Sequence, residues 1–257
     1  MSSSTTAGTS AARPATDAGG RLTAAAWLRI ALIAGLAAAL ATTAFELVVA
    51  EPVVDRAVAQ EGAHDHGALA VPEPFSRQGQ RGGLVLGELL LGCGLAFLLA
   101  GAATFLGGRS RSPLRLWVSM GVAGLVGVVL LPALVYPPLP PGVPSGLGIE
   151  ERQLLYLATV GLGIGGVAAA TWVLSASSKA SAPSARRLAL AGACVVVPAA
   201  VALLALPDQQ AEHTIAPRLL AEFRAVSIAS QVLFWGTLVA TGALLLRRRQ
   251  VDRDTAG

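Results

Sequence analysis

Apolar positions run through this chain in six unbroken blocks, at 27–50, 84–106, 114–135, 154–174, 188–206 and 225–246. Polar and charged positions fall almost wholly between them. Each block is close to the ~20 residues that a helix needs to cross the hydrocarbon core of a bilayer. Backbone polar groups in lipid must be satisfied within the segment itself, so blocks of this length and continuity predict helices. The pattern predicts an all-α polytopic membrane protein, with six transmembrane helices arranged as three hairpins. Residues 1–25, rich in Ser, Thr and Ala, are expected to form a disordered cytoplasmic tail. Residues 26–246 form the six-helix membrane domain, and 247–257 a basic cytoplasmic tail.

The segments between the blocks alternate in charge. Arg13 and Arg21 precede the first block. Arg109 and Arg111 lie in the second loop, Lys179 and Arg186 in the fourth, and Arg247, Arg248, Arg249 and Arg253 in the C-terminal tail. The first, third and fifth loops instead carry Glu51, Asp55, Glu61, Asp65, Glu73, Glu150, Glu151, Asp208, Glu212 and Glu222. By the positive-inside rule both termini are cytoplasmic and the acidic loops face outward. Trp27, Trp117 and Trp172 fall at the expected cytoplasmic ends and Tyr136 and Tyr156 at the outer ends, as an interfacial aromatic belt would have them. Trp235 falls near mid-span and is expected to pack on a neighbouring helix.

Composition agrees with this class and narrows it. The chain is 54% hydrophobic and 13% charged, about half the charge fraction of a soluble domain. Its net charge of +4 does not indicate a nucleic-acid partner, because the basic residues sit at helix ends where topology and anionic lipid account for them. A single lysine beside 18 arginines, with abundant Ala, Gly and Val, points to a GC-rich bacterium and so to its cytoplasmic membrane. The first block is longer than the ~7–15-residue apolar core of a signal peptide, so it is expected to remain as a helix. Cys93 and Cys194 lie within spans and form no CxxC pair. Pro132 and Pro198 lie within spans and are expected to kink them. The two share a weak parallel repeat, apolar-Pro-Ala followed by Glu-x-Arg at 150–152 and 222–224. Glycine pairs Gly83/Gly87, Gly161/Gly165 and Gly121/Gly124 have the spacing of close helix contacts.

Chemistry concentrates in few places. No phosphate loop, HExxH or GxSxG is present, and no histidine lies in a span, so an enzyme is not expected. His64-Asp65-His66 in the first outer loop offers two imidazoles and a carboxylate to a borderline divalent metal. An ordinary imidazole, with a pKa of ~6.5, is neutral and able to ligate at external pH. Glu61 adds a ligand, and His213 approaches from the fifth loop. The alternative is a polar loop that merely contains histidines. Glu46 and Glu88 are the ionisable residues well inside the spans, each about one turn from the outer end. A carboxylate in a span is a functional feature by default. These two either draw a cation inward or snorkel and pair with Arg56 or Arg81.

Three stretches carry a family resemblance. The first is the opening helix with the outer loop holding His64-Asp65-His66. The second is the sequence at 132–142, PALVYPPLPPG, with RQLLYLAT at 152–159. The third comprises residues 223–227, Ala229, and 231–235 ending in Phe234-Trp235. In these the chain resembles the CbtA family of cobalt transporter subunits over roughly residues 25–246. The resemblance implies cobalt uptake in cobalamin-producing bacteria, Co(II) or a similar divalent ion as the transported species, no cofactor, and a small one-span, histidine-bearing CbtB-like partner. Members of the family often carry histidines beside the two intramembrane prolines. Here those neighbours are Leu131 and Ala133, and Val197 and Ala199. The function expected is a membrane subunit of a cobalt uptake system, with a non-conducting membrane binding or assembly protein as the alternative.

Overall fold

The computed structural model describes residues 22–64, 76–107, 112–141, 143, 146–175, 184–207 and 216–255. Eight α-helices are present among them: α1 (Ala24–Phe45), α2 (Glu51–His64), α3 (Arg77–Gly107), α4 (Pro113–Gly124), α5 (Leu131–Val135), α6 (Ile149–Ser175), α7 (Ala185–Ala205) and α8 (Pro217–Asp254). Two π-helical turns, Glu46–Ala50 and Leu125–Leu130, join α1 to α2 and α4 to α5. Six helical rods among the described residues are long and apolar enough to cross a membrane, in the order the sequence predicts. Their starts follow local chemistry. The Thr23 hydroxyl accepts from the Ala26 N–H at 3.2 Å and caps α1, and Ser112 caps α4 ahead of Pro113. Each cap satisfies a donor that the first turn leaves orphaned.

The helices run beyond their apolar blocks. The first rod continues through the π-turn into α2 as far as His64, and α8 begins at Pro217 and ends at Asp254. Both extensions are polar, and they carry charged residues past the ends of the spans. The proline-rich stretch after α5 is folded back beneath them. Val143 and Leu139 pack with Val53, Ala57, Leu219 and Phe223. The Tyr136 O–H donates to the Pro207 carbonyl at 3.2 Å, tying that stretch to the end of α7.

Lipid is as apolar as a helix interface, so tight packing here depends on small side chains. α1 contributes the buried Ala31, Ala34, Gly35, Ala38 and Ala39 and α3 the buried Gly92, Ala96, Ala100 and Ala103, with Gly35 and Ala39 set against Gly92. A Cβ built on Gly92 would stand 2.6 Å from the Gly35 carbonyl oxygen, so the two backbones touch. Gly127 and Gly163 make the same contact between the second π-turn and α6. Among the expected glycine pairs, Gly121 and Gly124 do pack, against Val239 and Trp235. Gly83, Gly87, Gly161 and Gly165 have open space where a Cβ would go, so spacing alone does not mark an interface.

The aromatic residues also divide differently from the expectation. Trp27 and Trp117 are fully buried and stacked, with ring centroids 6.4 Å apart, and therefore serve as core. The Trp117 N–H donates to the Val239 carbonyl. Trp172 is 72% exposed and remains available to an interface. Trp235 is buried against Gly124, as expected.

Candidate functional site

Glu46 opens the first π-turn. Pro52 follows that turn by two residues and lacks the N–H that would hold the carbonyl of Val48 in α-register. The backbone widens by one residue instead, and the Glu51 N–H reaches the Glu46 carbonyl five positions back. Such single π-turns are frequent at functional sites because they re-aim the side chains they carry. Here the carboxylate of Glu46 meets α8. Its Oε1 accepts from the Ser230 hydroxyl at 2.6 Å. Its Oε2 is buried and has no partner within the protein.

Glu46 lies in the wall of a cavity of about 420 Å³ between the first rod, α3 and α8. Glu51, Asp55, Arg77 and Arg81 line one side, and Ser227, Ser230 and Gln231 of α8 the other. The four charges on the first side cancel. Arg77 bonds Asp55 at 2.8 Å and Glu51 at 3.3 Å, and Arg81 bonds Glu51 at 2.8 Å. Arg56 is taken by Glu222 in a two-pronged contact at 2.7 and 3.2 Å. Neither Arg56 nor Arg81 is therefore paired with Glu46 or Glu88.

Glu88 stands on α3, half-buried and outside that lining. Its Oε2 too is buried without a protein partner. The register of α1 on α3, with Gly35 against Gly92, sets Glu46 and Glu88 toward the same end of the two helices. Beyond them the seam closes. Gly35 and Gly92 are in backbone contact, and the alanines of α1 and α3 fill the rest. Glu46, with one oxygen unpartnered, lines the cavity, and Glu88, with another, lies on α3 outside its lining.

The histidine loop is a different matter. Asp65, His66 and His213 lie outside the described residues. Glu61 and His64 belong to α2 by backbone, but their side chains lie outside the described residues as well. Helix α2 runs from Glu51 to His64, so the first part of the stretch expected as a loop is helical. No three His, Cys, Asp or Glu side chains converge as a metal site among the described residues.

Sequence reasoning missed Ser227, Ser230 and Gln231, although a signal existed. Ser230 and Gln231 follow Ser227 by three and four residues, so the three share one face of α8, a polar stripe in an apolar span. It also missed Arg77 and Arg81 as partners of Glu51 and Asp55, because those contacts depend on how far α2 extends. The two proline motifs of the proposed repeat are not structurally equivalent. Pro132 follows a π-turn, whereas Pro198 sits inside an uninterrupted α7.

Neither the curated proteins nor the solved structures include a match to this chain. The model of one family, described as the probable cobalt transporter subunit (CbtA), matches residues 24–247. That stretch takes in every membrane-spanning block and both Glu46 and Glu88, and the chain belongs to the CbtA family.

Proposed function

We propose that this chain is the membrane subunit of an uptake system for cobalt or a similar divalent transition metal, in a bacterial cytoplasmic membrane. In this reading both termini are cytoplasmic and the Glu46 cavity opens outward, since arginine and lysine concentrate at the opposite end. His64, Asp65 and His66, helped by Glu61 and His213, capture the ion at low external concentration. Glu46 and Glu88 then draw it into the bundle. The observation that carries the proposal is the unpartnered oxygen of Glu46 in a cavity whose Glu51 and Asp55 are paired with Arg77 and Arg81, together with a second unpartnered carboxylate oxygen on Glu88 of the neighbouring helix. An unpaired charge this deep is costly unless a cation neutralises it.

The inward step requires more than this conformation provides. Past Glu88 the α1–α3 seam is packed with alanine and glycine and presents no further donors. Either α1 and α3 part, or a second subunit completes the path. A one-span, histidine-bearing CbtB-like partner fits the second role. The chain supplies binding and passage, and no catalysis.

Cells expressing the chain with and without such a partner should differ in cobalt accumulation. His64→Ala combined with His66→Ala should weaken accumulation at low external cobalt, and unchanged accumulation would reduce the loop to a polar linker. Orientation is tested by labelling single cysteines. His64→Cys should react from outside, and Lys179→Cys only after permeabilisation. The reverse pattern would overturn the direction of transport assigned here.

A further inference from the structure

Four buried side-chain oxygens around the Glu46–Glu88 pair have no partner within the protein: Thr42 Oγ1, Thr43 Oγ1, Glu46 Oε2 and Glu88 Oε2. Thr42 is 0% and Thr43 7% exposed. Their hydroxyls differ from those of three other helical threonines. Thr104, Thr159 and Thr171 all donate to a carbonyl of the preceding turn, at 2.7, 2.7 and 2.8 Å. That local bond is the usual resting place of a threonine in an apolar helix. Thr42 and Thr43 forgo it.

Their position is fixed by the α1–α3 register. Gly35 lies against Gly92, and Ala39 also touches the Gly92 position. The helices run antiparallel, so one turn further along α1 brings Thr42 and Thr43 level with Glu88, one turn before Gly92. Glu46 lies one turn beyond Thr42 on the same face. Ser230 holds the Oε1 of Glu46 and leaves Oε2 free.

We infer that Thr42, Thr43, Glu46, Glu88 and Ser230 form one binding site for a divalent cation held by oxygen alone. This rests on the reading that the Glu46 cavity receives the transported ion, and it adds the ligand set and its selectivity. Charge sets the valence. With Glu51 and Asp55 neutralised by Arg77 and Arg81, two carboxylate charges remain, and one divalent ion cancels them. Chemistry sets the class. Carboxylates and hydroxyls are hard donors that suit Mg²⁺, Ca²⁺ and Mn²⁺ as well as hydrated Co²⁺. Too few protein oxygens are present to replace a full shell, so the ion keeps part of its water. The site therefore discriminates poorly among divalent metals, and preference for cobalt has to arise elsewhere on the protein.

The test uses the purified full chain in lipid nanodiscs, in a His64→Ala/His66→Ala background that removes the loop. Mn²⁺ is the probe, and loss of the free-ion EPR signal measures binding. One ion per chain is expected, displaced by Co²⁺ and Mg²⁺ at similar concentrations. Glu46→Gln/Glu88→Gln should abolish binding. Thr42→Val, which keeps the shape, should weaken it about tenfold, and Thr42→Ser should restore it. Monodisperse elution of each variant establishes that it is folded. Binding that survives the double glutamine variant, or that is indifferent to Thr42→Val, overturns the site. Site and transport fail separately. Binding without cobalt uptake in cells would sink the transport reading alone, and uptake without binding would sink this site alone.

Discussion

The two π-helical turns use the same backbone device for different ends. Each finishes two residues before a proline, Ala50 before Pro52 and Leu130 before Pro132. In each the residue ahead of the proline bonds five positions back, Glu51 to Glu46 and Leu131 to Val126. The widened turn absorbs the hydrogen bond that proline cannot make. Beyond this the two diverge. The first turn carries Glu46 to Ser230 and the polar cavity. The second carries no ionisable residue and sets Gly127 against Gly163, while the Tyr156 O–H lies 3.5 Å from the Val128 carbonyl, the one Pro132 leaves unbonded in α-register. Pro198 shows that the device is optional, since α7 continues through it without a π-turn. A proline thus permits a π-turn, and the neighbouring residues decide whether it serves chemistry or packing.

The contrast is broken most severely at the charges. Glu46→Gln/Glu88→Gln should lower cobalt accumulation by about tenfold or more at wild-type protein level, with thermal stability unchanged or slightly raised. Normal accumulation at that level would remove both residues from the mechanism. At the second turn the expected loss is of stability instead. Gly127→Ala forces a methyl to within 2.9 Å of the Gly163 carbonyl carbon and should destabilise the bundle by about 1–3 kcal/mol, read as a lower melting temperature in detergent. Gly165→Ala, with nothing within 4 Å, is the neutral control. The smallest effect sharpens the comparison most. Pro52→Ala restores an N–H, lets the first turn tighten and re-aims Glu46, so uptake should fall by less than about tenfold. Pro132→Ala should leave uptake intact. Equal effects of the two prolines on uptake would erase the distinction.

Much of this was legible before folding was considered. Each of the six apolar blocks falls on one of the six long helices. They erred where a helix outran its apolar stretch, as at α2 and the start of α8, because polar residues continue a helix as readily as they end one. Glu46 and Glu88 stood out because an ionisable residue in an apolar block needs a reason. Ser230 did not, because a lone serine in a span is unremarkable until its partner is known. The stacking of Trp27 on Trp117 was equally hidden, since a tryptophan near a helix end fits a lipid interface and a core alike.

The sequence by itself determined that this is an all-helical chain with six membrane-crossing segments and charge segregated to their ends. Hydrocarbon leaves the backbone no other way to satisfy its polar groups, so apolar length is sufficient information. Which faces meet was decided only by the tertiary structure. Lipid and protein interior are almost equally apolar, so hydrophobicity does not mark the inward face of a helix in a membrane. Gly35 and Gly92 touch while Gly83 and Gly165 face open space, with nothing in their spacing to tell them apart. The bond between Ser230 and Glu46 joins residues 184 positions apart, and it exists because α1 and α8 pack side by side.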